Sequence, residues 1–135
     1  MTVENPRELP VLSQDDVVTV RQAVRMRAIA IGLSLVDQTK IITAASELAR
    51  NAVVYGGGGI VRIETLMDTG RRGLRLTFED HGPGITDLDL AMKDGYTSGN
   101  GLGLGLGGAK RLSDEFSIDS KPGEGTRVVI IRWKG

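Results

Sequence analysis

The order of periodic segments predicts a two-layer α/β sandwich, with helices over one face of a mixed, mostly antiparallel sheet. Two stretches in the N-terminal half place apolar residues at helical spacing. Two later stretches each read as a pair of strands joined by a tight turn. A glycine-rich segment and a short helix stand between those two hairpins, so the helices must be laid over the sheet. The 135 residues suit one domain with one core.

Residues 1–8 carry no pattern and are expected to be loose. Leu9 to Leu12 reads as a short edge strand, since Pro10 suits an edge. Ser13 with Asp16 reads as a helix N-cap followed by an acidic first turn. The helix from Asp15 to about Ile31 buries Val17, Val20, Val24 and Ala28 and stops at Gly32. Ser34 and Asp37 repeat the cap, and a second helix runs to about Val54 with Ile41, Ala45, Leu48 and Ala52 inward. Gly56–Gly59 ends it. Strands at Ile60–Met67 and Gly73–Glu79 flank a turn at Asp68-Thr-Gly. Leu74, Leu76 and Phe78 alternate with Arg75, Thr77 and Glu79, so one face is buried. Asp80–Ile85 is a Gly- and Pro-rich turn, and Thr86–Lys93 is a candidate short helix. The segment 94–108 reads as a mobile loop by composition. A helix at 109–115 and strands at 116–120 and 126–133 complete the chain.

Composition excludes several functions. Lys+Arg and Asp+Glu balance at 17 each, so no basic excess points to nucleic acid or to an anionic membrane surface. The absence of cysteine removes disulfides, thiolate metal sites and cysteine nucleophiles. No apolar run approaches the ~18 residues of a membrane span, and no signal-peptide core precedes the first helix, so a cytoplasmic protein is expected. His81 is the one histidine and there is no cysteine, which fits a turn residue better than a metal site or a triad. Glycine is the anomaly. Ten of the 19 fall in Gly56–Gly59 and in 99–108, which makes them local devices.

Four places can carry chemistry. Glu47 and Asn51, four apart on the second helix, project from one side of it. A carboxylate there can orient or deprotonate a hydroxyl, and an amide oxygen suits Mg2+. The same pair also fits a solvated glutamate and a helix-end asparagine. Asp80, at a strand end before Gly82 and Gly84, can accept a hydrogen bond from an exocyclic amine such as that of adenine while a flat ring approaches the glycines. It equally fits a strand-ending Asx turn. Gly101, Gly103 and Gly105 alternate with leucines ahead of a helix, and successive N–H groups in such a loop can form a nest for phosphate oxygens. The loop matches G-x-G-x-x-G formally, but no strand precedes it and no βαβ unit follows, so a dinucleotide fingerprint is rejected. No P-loop is present. Leu102, Leu104 and Leu106 argue against a solvated linker. Thr126 opens the last strand and can touch a phosphate or a water near Asp80. Arg50, Lys110 and Arg111 are surface cations open to a phosphate or an acidic partner.

In this order the four places resemble the N, G1, G2 and G3 boxes of the GHKL (Bergerat-fold) ATPases, over about residues 35–130. The resemblance implies an α/β sandwich with ATP and Mg2+ between helices and sheet. By position, Glu47 would be the catalytic base and Asn51 the Mg2+ ligand. Asp80 would bind the adenine amine, with Gly82 and Gly84 lining the base. Gly101, Gly103 and Gly105 would wrap the phosphates, with residues 86–100 as a lid. With no dimerisation helices or phosphoacceptor histidine ahead of the domain, a complete histidine kinase is not expected. The runs Ser46-Glu-Leu-Ala-Arg-Asn51, Glu79-Asp-His-Gly-Pro-Gly-Ile85, Asp94-Gly-Tyr-Thr-Ser98 and Gly123-Glu-Gly-Thr126 resemble the anti-sigma-factor serine/threonine kinase group, and within it the stressosome switch kinases. That resemblance implies STAS-domain partners of the RsbS and RsbR type and a downstream RsbU-type phosphatase or other effector. A kinase that chiefly inhibits a sigma factor and a non-catalytic ATP-gated module are the alternatives.

Overall fold

The computed structural model describes residues 1–85, 92 and 105–135. They form one five-stranded sheet with helices on one face. The elements are β1 (Thr2–Val11), α1 (Gln14–Ala30), α2 (Leu35–Val54), β2 (Gly59–Asp68), β3 (Arg71–Asp80), α3 (Leu106–Arg111), β4 (Glu115–Ser120) and β5 (Thr126–Trp133).

Both long helices start where the caps predict. Ser13 Oγ accepts from the Asp16 N–H at 3.3 Å, and Asp16 Oδ2 accepts in return from the Leu12 N–H at 2.8 Å. Ser34 Oγ accepts from the Asp37 N–H at 3.1 Å. Past α1 the chain turns at Gly32, whose φ of +84° explains the glycine there. α1 buries Val17, Val20, Val24 and Ala28, and α2 buries Ile41, Ala45, Leu48 and Ala52, along the expected stripes. The alanines let α2 lie close to the sheet. Val61 and Ile63 of β2, Leu74, Leu76 and Phe78 of β3, and Val128 and Ile130 of β5 supply the facing half of the core. Removing one of these large side chains costs about 2–5 kcal/mol.

The sheet order is β1-β2-β3-β5-β4, and every neighbouring pair is antiparallel. The mixed pairing expected for the sheet is therefore absent among the described residues. The reason is the second hairpin, which docks on β3 by its returning strand. β5 thus stands between β3 and β4, which run the same way without touching. The far face is bridged by cross-strand pairs, Glu64 with Arg75 at 3.0 Å and Glu79 with Arg127 at 3.4 Å. Thr77, opposite Arg62 on that face, is buried as well, so the alternation in β3 is less one-sided than expected.

Two boundaries need correction. Residues 1–8 are not loose: β1 begins at Thr2 and pairs along β2 from Thr2↔Met67 to Val11↔Gly59. Most of its side chains are exposed, so the backbone ladder holds it and no apolar pattern marks it. Its register shifts between Glu4 and Arg7, where Asn5 has a φ of 49° and Pro6 lacks a donor. α3 spans Leu106–Arg111, not 109–115: it starts inside the glycine segment and ends where Asp114 turns into the sheet. There the Asp114 N–H donates to the Ile131 carbonyl at 2.9 Å, and its Oδ2 accepts from the Trp133 N–H at 2.6 Å. The candidate helix at 86–93 lies outside the described residues except for Met92, which packs against the core.

Arg132 ties the helical layer to the sheet. Its Nη2 donates to Asp37 Oδ1 at 2.7 Å, and its Nη1 to the Leu112 carbonyl at 3.2 Å. The hydrogen bond from Arg132 is the largest cause holding the Asp37 carboxyl below its ordinary value of 3.8. A folded pKa below the unfolded one adds stability above the unfolded value and loses it as pH falls through the folded value. Asp37→Ala should therefore cost about 2–3 kcal/mol at neutral pH, by leaving a mostly buried guanidinium short of its partner. Urea unfolding should show that difference shrinking in acid below 3.8.

Candidate functional site: a cleft between α2 and the sheet ends

The helix α2 carries Glu47 and Asn51 one turn apart, and Asn51 faces the ends of β3 and β5. It closes just beyond Asn51, whose carbonyl accepts the N–H groups of Tyr55 and Gly56, both at 2.9 Å. β3 ends at Asp80, paired with Gly59 on one side and Thr126 on the other. Asn51, Asp80 and Thr126 thereby meet across one small pocket, walled by Leu48, Ala52, Tyr55, Phe78, Ile85, Leu106 and Val128. Its volume is about 30 Å³, room for roughly two waters. Apolar walls around the half-buried Asp80 carboxylate suit the edge of a flat heterocycle, which the pocket must widen to admit.

Asp80 is the electrostatic centre of the pocket. Burial raises its carboxyl above the ordinary value, and hydrogen bonds from the Gly82 and Thr126 backbone N–H groups oppose that shift. The Gly82 bond, to Oδ1, measures 2.9 Å. Thr126 Oγ1 lies 2.8 Å from Ser120 Oγ. Ser120 Oγ also accepts from the Ile85 N–H at 2.9 Å and reaches the Gly125 carbonyl at 3.0 Å. Ser120 has one proton, so all four groups are satisfied when it donates to Gly125 and Thr126 donates to it. Thr126 Oγ1 is then left as an acceptor on the pocket wall.

Gly82 and Gly84 are placed otherwise than expected. They are not among the pocket's walls. A Cβ on Gly82 would stand 2.6 Å from the Gly56 carbonyl oxygen, and one on Gly84, at φ +75°, would run into the Lys121 carbonyl. Both glycines are needed for backbone to cross backbone. Gly84 is held from the pocket side by Tyr55, whose hydroxyl donates to its carbonyl at 3.2 Å. Sequence reasoning missed Gly56, taken only as a helix stop. A Cβ there would fall 2.5 Å from Asp80 Oδ2, so Gly56 shapes the carboxylate's seat. Its signal was its place at the end of the Glu47–Asn51 helix. Ser120 was missed too, because a lone serine at a strand end carries no pattern.

Beyond Leu106, Glu47 lies against the end of the glycine segment. Gly105 has a φ of +65° and begins α3. A Cβ on it would stand 2.5 Å from Glu47 Oε2. Arg50 Nη2 contacts that same oxygen at 2.5 Å. Leu106 is buried in the pocket wall, as the leucines of the segment suggested. Gly101 and Gly103, and residues 86–100 apart from Met92, lie outside the described residues. Among the described residues no cluster of three His, Cys, Asp or Glu can hold a metal, and no helix is long and apolar enough to cross a membrane. Mg2+ retains waters and phosphates and needs as little as one protein oxygen. The Asn51 side chain beside the pocket fits a metal that arrives on a nucleotide.

The family model described as histidine kinase-, DNA gyrase B- and HSP90-like ATPase matches residues 36–134. The chain is 47% identical to the serine/threonine-protein kinase RsbT of Bacillus subtilis, over 91% of this chain and 92% of that one. It is 34% identical to an anti-sigma F factor of Clostridium kluyveri, over 72% of this chain and 71% of the other. The crystal structure of the RsbU and RsbW domains of a Mycobacterium tuberculosis protein shares the fold. Its TM-score is 0.66 at 24% identity, covering 95% of this chain and 32% of that one. A family model spanning most of the chain and a relative 47% identical over nearly its whole length place it: the chain belongs to the histidine kinase-, DNA gyrase B- and HSP90-like ATPase family.

Proposed function

We propose that this chain is an ATP-dependent protein serine/threonine kinase of the RsbT kind. It phosphorylates STAS-domain proteins of the RsbS and RsbR type in a stress-signalling assembly. Once released, it activates an RsbU-type phosphatase or another effector. The observation that carries the reading is the convergence of Asn51, Asp80 and Thr126 on one pocket, with the Glu47 carboxylate one helical turn from Asn51 and beside Gly105. The near full-length likeness to a named serine/threonine kinase supports the same activity. The protein works in the cytoplasm.

In this mechanism Asp80 takes the hydrogen bond of the adenine amine, and Thr126 offers its second acceptor beside it. Asn51 lends an amide oxygen to Mg2+, which when bound neutralises phosphate charge. Gly101, Gly103 and Gly105 hold the phosphates. Glu47 accepts the proton of the partner's serine or threonine hydroxyl as its oxygen bonds to the γ-phosphorus and the bond to the ADP oxygen breaks. Most of the barrier is met by positioning and charge. Mixing the protein with Mg-ATP and a recombinant RsbS-type STAS protein should yield a phosphorylated STAS serine or threonine. Retention of unmodified STAS protein at micromolar enzyme would refute the reading.

The likeness to an anti-sigma F factor favours a second reading, in which the chain binds and inhibits a sigma factor. Co-purification of a sigma subunit with the tagged chain would select it over the first.

A further inference from the structure

We propose that Arg50 is a positioning residue for phosphoryl transfer. It holds Glu47 by one carboxylate oxygen and leaves the other to take the proton of the acceptor hydroxyl. The inference rests on the reading of Glu47 as the base.

One contact and one neighbour define the place of Glu47 Oε2. Arg50 Nη2 lies 2.5 Å from it. Gly105 passes beside it, where a Cβ would stand 2.5 Å away and only a glycine leaves the oxygen its place. The oxygen is held by the guanidinium on the side where the chain enters α3, and that bond limits where Oε1 can be. A carboxylate without such a bond samples several rotamers, and a proton acceptor gains from standing in one. Stability is a poor reason for the pair. Arg50 and Glu47 are three apart on a helix with 48% and 33% of their side chains exposed, and ion pairs of that kind contribute little. Nor is a generic positive charge enough. The planar guanidinium fixes the direction of its bond, whereas an ammonium on a flexible stem does not. Arg50 also adjoins Asn51 in sequence, so the base and the metal ligand are set by one turn of α2.

The test is single-turnover transfer from Mg-ATP to a recombinant RsbS-type STAS protein, with ATP affinity by calorimetry and the thermal midpoint as controls. Arg50→Ala should slow transfer about 10- to 100-fold while ATP affinity and the midpoint stay unchanged. Arg50→Lys should fall between Arg50→Ala and the parent, and guanidinium added below denaturing concentration should restore part of the Arg50→Ala rate. Combined with Glu47→Gln, Arg50→Ala should add no further loss. If Glu47→Gln is inactive and Arg50→Ala transfers at the full rate, the Arg50 assignment is overturned and the base stands. If Arg50→Ala weakens ATP binding at an unchanged transfer rate, Arg50 serves the phosphates and the proposal fails. If Glu47→Gln is itself fully active, the base reading falls and takes this one with it.

Discussion

Glu47→Gln is expected to reduce phosphoryl transfer about 10²- to 10⁴-fold and to leave ATP binding intact. The amide keeps the size of the side chain and a hydrogen-bonding oxygen for Arg50, so the bond beside Gly105 survives. What it lacks is an oxygen basic enough to receive the hydroxyl proton. Glu47 stands outside the pocket formed by Asn51, Asp80 and Thr126, so the nucleotide has no need of it. Rapid-quench transfer measurements beside calorimetric titration with ATP separate the two steps. A parent-like transfer rate would remove Glu47 from the chemistry, and weakened ATP binding would move it to the nucleotide.

Asp80→Asn is expected to weaken ATP binding about 100-fold, on the order of 2–3 kcal/mol. The Gly82 N–H donates to Asp80 Oδ1, and the Thr126 N–H donates to the same carboxylate. A substituted amide must keep its oxygen toward those donors. Its NH2 group then meets the adenine amine, donor against donor. The carboxyl is held above its ordinary value by burial, while the amine favours its ionised form. ATP affinity should therefore fall with decreasing pH at a higher pH than an unperturbed aspartate would give. Calorimetry with ATP and with GTP, which lacks that amine, tests the role. Equal losses for the two nucleotides in Asp80→Asn would argue against recognition of the amine.

Much of this site was legible in one dimension because its parts are local. Glu47 and Asn51 share a helix face by spacing alone, and the ends of that helix were marked by Ser34 and the glycines after Tyr55. Asp80 was marked by the end of an alternating strand. The glycines misled where their use is non-local. Gly82 and Gly84 read as room for a ligand, yet the space beside them belongs to Gly56 and Lys121, far away in sequence. A glycine shows that something comes close, not what does. β1 failed for a related reason: backbone hydrogen bonding to β2 orders Thr2–Val11, and such bonds need no particular side chain.

The sequence by itself determined where the long helices start and stop, which faces they bury, and the chain order of acid, amide, aspartate and glycine segment. These follow from caps and periodicity, which act over a few neighbouring residues. Only the tertiary structure decided that β5 lies between β3 and β4 and that Gly56 seats the carboxylate of Asp80. It also decided that Glu47 is held by Arg50 beside Gly105. Those are contacts between segments that packing brings together, and their partners leave no periodic trace along the chain.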